Sequence, residues 1–271
     1  MRDFATDTAV DGSEGHFRAT LYPGWEVWGP FGGYRAAIVL RAIGAQSAMP
    51  RPATFSCSFL ATGAVGPVEV EVTTLQRGKR TQALRGVLTQ NGKSIIDAFA
   101  WTIADGLEGF EHDVAHMPDV PGPDDLKGYQ DLSDSYPDWY PFWRSVEGRP
   151  LVWTQERSPP IWQTWMRLKR PLPVDDVFLE AARHLMWLDL MMWNAVPPPH
   201  GWPAKFIAPN LDLTAQFHRG EPETEWLLCD SAAPIATAGL ASCHGRVWSP
   251  SGRLLASGTA QLICRPSPLG A

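Results

Sequence analysis

Few features of the 271-residue sequence point to a metal, a nucleic acid or a membrane. It has four cysteines and no CxxC pair, so neither a zinc cage nor a disulfide framework is indicated. The 23 Lys and Arg residues are outnumbered by 29 Asp and Glu residues, and the formal net charge of −6 gives no overall attraction for nucleic acid or an anionic membrane. We therefore expect no metal, no nucleic-acid partner and no membrane partner.

Long hydrophobic runs are also missing. The apolar stretch 36–40 ends at Arg41, far short of the ~20 residues that cross a bilayer. The first residues include Asp3 and Asp7, where an export signal would have a basic start and then an apolar segment. We expect a soluble, cytoplasmic protein.

Several catalytic and cofactor motifs are absent. The sequence has no HExxH, GxSxG, GxGxxG or P-loop motif, which excludes the common zinc-protease, serine-hydrolase and nucleotide-binding classes. His112 and His116 have a spacing that suits a metal on a helix, but they lie in an aperiodic segment without a third ligand nearby. We interpret them as exposed loop residues and expect no cofactor.

What the sequence does contain is one apolar helix in each half. Residues 35–43 are rich in helix formers and apolar nearly all round, which predicts a buried helix beginning near Gly32 and Gly33. A second helix is predicted to begin near Asp175 or Asp176, either of which can cap it, and to end before Pro197.

Alternating and β-branched segments predict strands around both helices. In the first half they span 54–60, 68–75, 81–90 and 94–103. In the second half they span 161–168, 205–218, 225–230, 236–248 and 254–264. Asn91-Gly92 and Ser251-Gly252 are typical hairpin turns, and helices between successive strands are missing, which favours antiparallel sheet.

The two halves have matching spacing. Phe59 precedes Gly92 by 33 residues, and Phe217 precedes Gly252 by 35. We predict an α+β protein with an N-terminal repeat at 1–104, a Pro-, Gly- and Asp-rich connector at 105–150 and a C-terminal repeat at 151–271.

Short motifs in this order resemble a known family. In the first half they are Phe31-Gly32-Gly33, Phe59-Leu60, Thr74-Leu75-Gln76-Arg77-Gly78 and Gln90-Asn91-Gly92-Lys93. In the second they are Leu211 to Arg219, Glu225-Trp226-Leu227-Leu228, Gly245-Arg246-Val247-Trp248 and Gly252 to Ser257. The sequence is similar to bacterial acyl-CoA thioesterases of the thioesterase II type. The similarity extends from roughly Phe17 to Arg265, apart from the connector.

This resemblance implies a double-hotdog fold, in which two tandem repeats form one continuous antiparallel sheet around two long helices. It implies hydrolysis of an acyl-CoA or acyl-carrier thioester without a metal, by an Asp, a Gln and a Ser or Thr hydroxyl that polarise a water. The Asp corresponds to Asp189, the hydroxyl position to Asn210, and the Gln to a position at or beside Gln261. A homo-oligomer formed through the sheets is also implied.

Asp189 is the strongest candidate on physical grounds. Its helical neighbours are apolar: Leu185, Met186, Met192 and Trp193. A carboxylate on such a surface must be hydrogen-bonded or have a raised pKa, and both conditions suit a general base.

Gln261 leaves two alternatives open. The even-numbered face of 254–264 is small or apolar and should pack on the helix, and a gapless match places Ala260 at the family's Gln position. Either a bulge turns Gln261 inward, or the site lacks its amide and Thr214 or Asn210 holds the water instead.

The start of the first helix is the predicted substrate site. Free N–H groups and the positive dipole end at Gly32, Gly33 and Tyr34 can bind a thioester carbonyl or its oxyanion. Surface cations are candidates for the coenzyme A phosphates, and we consider most of them solvated: Arg77, Lys79, Arg80, Arg219 and Arg246.

Three functions follow from these residues. The first is an acyl-CoA hydrolase with Asp189 as base. The second is a non-catalytic or weakly active acyl-thioester-binding protein, suggested by Ala260. The third is a hydratase or dehydratase, which would need an Asp–His pair, and the spacing of His184 from Asp189 puts the two on different sides of the helix.

Overall fold

The computed structural model describes residues 3–173, 175–218, 220–221 and 224–267. Two long α-helices and two short ones lie among the strands. They are α1 (Phe4–Asp7), α2 (Gly32–Gln46), α3 (Tyr129–Leu132) and α4 (Val177–Asn194). No helix of the described part of the chain is long and apolar enough to cross a membrane.

Twelve strands form one antiparallel sheet, and a separate two-stranded sheet pairs β9 with β14. The strands of the first half are β1 (Asp11–Ser13), β2 (His16–Leu21), β3 (Arg51–Phe59), β4 (Gly66–Arg77), β5 (Thr81–Gln90) and β6 (Lys93–Ile103). Those of the second half are β7 (Val146–Pro150), β8 (Ile161–Leu168), β9 (Phe206–Ile207), β10 (Asp212–Phe217), β11 (Leu227–Thr237), β12 (Leu240–Trp248), β13 (Leu254–Ile263) and β14 (Arg265–Pro266). The order in the large sheet is β1-β2-β4-β5-β6-β3-β10-β13-β12-β11-β8-β7.

The two halves join through a single pair of strands, β3 and β10. They run antiparallel, with Asp212 opposite Ser58 and Gln216 opposite Thr54. The sheet is therefore continuous across both repeats, and the predicted α+β double-hotdog fold is confirmed.

The long helices α2 and α4 pack on the same side of this sheet and against each other. A Cβ atom at Gly33 would lie 2.8 Å from the Met186 Cα, and one at Gly44 would lie 2.7 Å from the Phe178 Cδ1. The earlier residue of α2, Gly33, lies against the later residue of α4, Met186, and the order is reversed for Gly44 and Phe178. The helices are therefore antiparallel. Both are apolar nearly all round because each is covered by the sheet and by its partner helix.

Local chemistry accounts for the ends of the main elements. Of the two candidate caps of α4, Asp176 is the N-cap, and its Oδ1 accepts a 2.8 Å bond from the Leu179 N–H. The Asn91-Gly92 turn has positive φ at both residues, 52° and 73°, as a tight hairpin requires.

Four segments differ from the predicted strands. The opening segment, for which no strand is predicted, forms β1 and β2 at one edge of the sheet, with alternating polar and apolar residues in His16–Leu21, and the connector contributes β7 at the opposite edge. The predicted strand 236–248 is wrong in its first residues, because Ala238 and Gly239 form a turn with positive φ between β11 and β12. The predicted strand 205–218 consists of β9 and β10 with a break between them.

The connector is anchored by aromatic side chains. Tyr129 is fully buried and contacts Tyr136, Trp139, Trp143 and Trp153 at centroid distances of 5.3 to 6.1 Å. Much of this segment therefore belongs to the packed layer over β7 and β8 rather than to a free linker.

Candidate active site

Asp189 lies inside α4 with its carboxylate turned toward the start of α2. The residue is 6% exposed. Its neighbours Leu185, Met186 and Met192 are buried, and Trp193 is partly buried. A carboxylate in such surroundings must find its hydrogen bonds within the protein.

Each oxygen of this carboxylate accepts one short hydrogen bond. The Gly33 N–H donates to Oδ2 at 2.5 Å, and the Asn210 Nδ2 donates to Oδ1 at 2.5 Å. The same Asn210 nitrogen lies 3.3 Å from the Asp189 carbonyl oxygen. Thus α2, α4 and Asn210, two residues before β10, meet at one side chain, at the join between the two repeats.

Burial raises the pKa of Asp189 to about 6, and three groups oppose this shift. The hydrogen bonds from Asn210 and Gly33 favour the charged form, and so does the positive charge of Arg35. Near neutral pH the carboxylate is ionised, yet its pKa is close enough to 7 for it to accept and return a proton.

The glycines at the start of α2 are required by close approach to Asp189. A Cβ atom at Gly32 would lie 2.7 Å from the Asp189 Oδ2 and 3.2 Å from the Phe59 Cε1. Within the described residues, the Gly32 N–H has no hydrogen-bond partner, and it lies in the first turn of α2. An unbonded donor and the positive end of the helix therefore adjoin the carboxylate.

Gln261 lies on the face of the sheet that points away from α4. Its neighbours Ala260 and Leu262 are buried on the helix side, while its Oε1 accepts a 2.9 Å bond from the Ser242 Oγ. The register of β12 and β13 is regular around it, and the pairing of these two strands shifts between Val247 and Trp248, far from Gln261. The bulge that would turn Gln261 inward is therefore not present, and Gln261 does not join Asp189.

Thr214 shares this outer face. It lies opposite Ser56 on one side and Thr259 on the other, while Leu213 and Ala215 are fully buried toward the helices. Alternation along β10 thus separates the Thr214 hydroxyl from Asp189.

Tyr34 is a packing residue rather than a ligand-facing one. Its side chain is fully buried, its hydroxyl donates to the Asp7 carbonyl at 2.8 Å, and its ring stacks on Trp25 at 5.6 Å. The predicted role of Tyr34 in substrate binding concerns the N–H groups at the helix start, and its side chain takes no part in it.

The predicted cation candidates lie on the surface. Exposed side chains are found at Arg77, Lys79, Arg80 and Arg246. Arg219 lies outside the described residues. His112 and His116 are also exposed and lie in a segment without regular structure. Within the described ranges, no cluster of three or more His, Cys, Asp or Glu side chains could hold a metal ion.

Arg35 was not singled out by sequence reasoning. It is only 5% exposed, its Nη1 donates to the Ala61 carbonyl at 2.5 Å, and its guanidinium lies 5.7 Å from the centre of the Phe59 ring. The available signal was a charged residue in an otherwise apolar helix segment.

Aromatic residues lie beside the site, near the segment that leads into α2. Trp28, which is 36% exposed, meets Trp193 edge to face at 5.9 Å, and its Nε1 donates to the Tyr140 hydroxyl at 3.0 Å. Trp193 is one helical turn beyond Asp189, so this aromatic border adjoins the carboxylate.

Comparison with known proteins matches both halves of the chain to one family. Residues 21–103 match the acyl-CoA thioesterase N-terminal domain, and residues 113–264 match the acyl-CoA thioesterase C-terminal domain. Together these matches include well over half of the 271 residues.

Solved structures share the fold over nearly the whole chain. A conserved protein of unknown function with a hot dog fold from Alicyclobacillus acidocaldarius is 24% identical, with a TM-score of 0.82, covering 98% of this chain and 99% of that one. Acyl-CoA thioesterase II TesB2 from Mycobacterium marinum is 23% identical, with a TM-score of 0.80 and the same coverage. A tesB protein from Mycobacterium avium subsp. paratuberculosis is 21% identical, with a TM-score of 0.78, covering 97% of this chain and 98% of that one.

At these identities the solved structures establish the fold, and the two domain matches establish the family. The chain therefore belongs to the acyl-CoA thioesterase family and is a thioester hydrolase with a double-hotdog fold.

Proposed function

We propose that this protein hydrolyses acyl-CoA thioesters with Asp189 as the general base. The observation that supports this most strongly is the buried Asp189 carboxylate, held by the Gly33 N–H at a helix start and by the Asn210 amide. One short bond to each oxygen fixes the carboxylate and leaves each oxygen a further lone pair for a water molecule.

In the proposed reaction, Asp189 takes a proton from water as the water oxygen bonds to the thioester carbonyl carbon. The carbonyl becomes an oxyanion, which the unbonded Gly32 N–H and the positive end of α2 stabilise. When the intermediate collapses, the carbon–sulfur bond breaks and the thiolate takes the proton from Asp189. The products are a carboxylic acid and coenzyme A.

Asn210 has a positioning role in this scheme. Its Nδ2 bonds both the carboxylate and the backbone carbonyl of Asp189, so it fixes the side chain relative to α4. An amide cannot act as a base near neutral pH, and its contribution is therefore orientation and stabilisation of the charged carboxylate.

A second candidate function is binding of an acyl thioester without turnover. It is favoured by one observation, that Ala260 occupies the helix-facing position while Gln261 points outward and bonds Ser242. A site without its amide would bind a thioester yet orient water poorly.

Release of free thiol from a panel of acyl-CoA thioesters separates these functions. We expect turnover by the wild type, a fall in kcat of about 10²- to 10⁴-fold for Asp189→Asn, and little change for Gln261→Ala. The Gln261→Ala control removes a polar side chain from the outer face of β13. Binding without thiol release by the wild type would favour the second function, and full activity of Asp189→Asn would exclude Asp189 as the base.

A further inference from the structure

We propose that Arg35 is a positioning residue of the active site, whose buried positive charge keeps Asp189 ionised. This inference rests on the proposed function, because it assigns a further residue to the same site. It concerns a charge on the first turns of α2, two residues beyond the glycine that bonds Asp189.

The guanidinium of Arg35 is fixed inside the protein. Its Nη1 bonds the Ala61 carbonyl, and its plane lies near the Phe59 ring. Its Nε is buried and has no hydrogen-bond partner within the described residues. Since the described residues place no carboxylate within ion-pair distance, Arg35 needs its charge balanced by a more distant group.

Asp189 is the buried carboxylate that supplies this balance. The Phe59 ring, which lies beside the guanidinium, also approaches the Gly32 position next to the Asp189 Oδ2. The guanidinium, the ring, the helix start and the carboxylate are therefore contiguous. In a buried region, where little water screens the charges, opposite charges interact over longer distances than they do at the surface.

The remaining titratable groups in this region leave Arg35 as the main source of positive charge. On β3 the Cys57 thiol is buried, and its pKa is well above its usual value because of burial, so the thiol is neutral. At the start of β10 the Asp212 carboxylate is exposed and accepts a 2.9 Å bond from the Gln261 N–H. Burial lowers the pKa of Arg35 to about 10, so its guanidinium stays charged through the neutral range.

The positive charge of Arg35 stabilises the ionised Asp189 in a site where the sheet lacks a polar side chain. The side chain at the helix-facing position of β13 is Ala260, so the sheet supplies no polar group at that position. Arg35 acts from α2, through Asp189, by lowering the free-energy cost of the ionised carboxylate. The carboxylate is thereby a base at a pH where burial alone would keep more of it protonated.

The test compares the pH dependence of kcat/KM for Arg35→Met, Arg35→Lys and the control Arg183→Met. Arg183 lies on α4 and is also buried, at 4% exposure. Its Nη1 donates a hydrogen bond to the Thr224 carbonyl. We expect Arg35→Met to move the acidic limb upward by about one pH unit, Arg35→Lys to move it less, and Arg183→Met to leave it in place.

An unchanged acidic limb in Arg35→Met, or an equal shift in Arg183→Met, would overturn the proposal. A second readout is the pH titration of the Asp189 carboxyl carbon by NMR in protein labelled at aspartate, assigned by its loss in Asp189→Asn. This titration reports on Arg35 even if the wild type releases no thiol, so failure of this proposal is distinguishable from failure of the proposed hydrolysis. If Arg35→Met does not fold, Arg35→Gln and Arg35→Lys are compared by the same titration, and equal carboxyl titrations in wild type and Arg35→Gln contradict the proposal.

Discussion

At the residue scale, burial of the ionised Asp189 carboxylate lowers the stability of the folded protein. Its carboxylate is buried on an apolar helix surface, and only Gly33 and Asn210 bond it directly. Its pKa is therefore raised relative to an unfolded chain, so ionisation favours the unfolded state. The same burial that lowers stability also raises the pKa of the carboxylate toward neutral pH, which suits it to act as a base.

The cost predicts that Asp189→Asn is more stable than the wild type at high pH. Folding raises the pKa of Asp189 from 3.8 to about 6, so its contribution to the stability of the folded state is fully present below pH 3.8 and is lost as the pH rises through 6. At pH 8 the variant should gain up to about 3 kcal/mol in free energy of unfolding, and at pH 3.5 the gain should vanish. Urea unfolding at both pH values measures this, and a variant less stable at pH 8 would contradict the burial cost.

Gly32 gives a second prediction at the residue scale. In Gly32→Ala the added Cβ would lie 2.7 Å from the Asp189 Oδ2, so the carboxylate must move. We expect kcat/KM to fall by about 10²-fold, since small displacements of a reacting group cost that much. The control is Gly109→Ala, where an added Cβ meets nothing within 4 Å. Wild-type kinetics in Gly32→Ala would argue against a role for the helix start.

Sequence reasoning identified four residues that the structure brings together. Gly32 and Gly33 belong to the Phe31-Gly32-Gly33 motif, and the resemblance matches Asp189 and Asn210 to the family's Asp and hydroxyl positions. The direction of Gln261 depended on strand register, which a one-residue shift reverses. Arg35 was missed because a single charge in an apolar helix gives no information about the carboxylate it will face.

At the scale of secondary-structure elements, the close approach of α2 and α4 places Gly33 against Asp189. Two glycines of α2 permit this approach: Gly33 at Met186 and Gly44 at Phe178. The helices themselves were predictable from composition, whereas their mutual contact was not. The strands β2 and β7 were missed because they are only six and five residues long, and pairing with β4 and β8 stabilises them.

Gly44→Val should separate the helices at the end remote from Asp189. The new side chain would overlap the Phe178 ring, which lies 2.7 Å from an added Cβ at its Cδ1. We expect the free energy of unfolding to fall by about 1–3 kcal/mol, and Gly44→Val/Phe178→Ala to recover part of the loss. The double-mutant cycle is measured by urea unfolding. Strictly additive losses would show that Gly44 and Phe178 are not in the predicted contact.

At the scale of the whole molecule, one face of the sheet is covered by the helices. The connector covers the opposite face around Trp165 and Trp248, whereas the same face of β6 is exposed in the isolated chain. Phe99 and Trp101 of β6 are 49% and 45% exposed on the outer face, and they alternate with the buried Ala98, Ala100 and Thr102. The duplicated fold was predictable from matched spacing in the two halves. The exposure of Phe99 and Trp101 followed only from the register, which places these aromatic side chains away from the helices.

We predict that a second copy of the chain covers part of this outer face. Large exposed aromatic side chains at the centre of a sheet are typical of an interface between subunits. Light scattering should detect an oligomer in the wild type and a smaller species in Phe99→Lys/Trp101→Glu. The control Phe110→Lys changes an exposed aromatic residue of the connector and should keep the wild-type mass. A monomeric wild type would contradict this prediction.

The central claim is that the ionised Asp189 carboxylate activates water. The most direct test is the pH dependence of kcat/KM for thiol release from an acyl-CoA substrate that the wild type hydrolyses. Because burial raises the pKa of Asp189 to about 6, we predict a roughly tenfold fall per pH unit below that value and a plateau above it. Residual activity of Asp189→Asn should lack this limb. A wild-type profile that is flat between pH 5 and 7, or the same limb in Asp189→Asn, would contradict Asp189 as the general base.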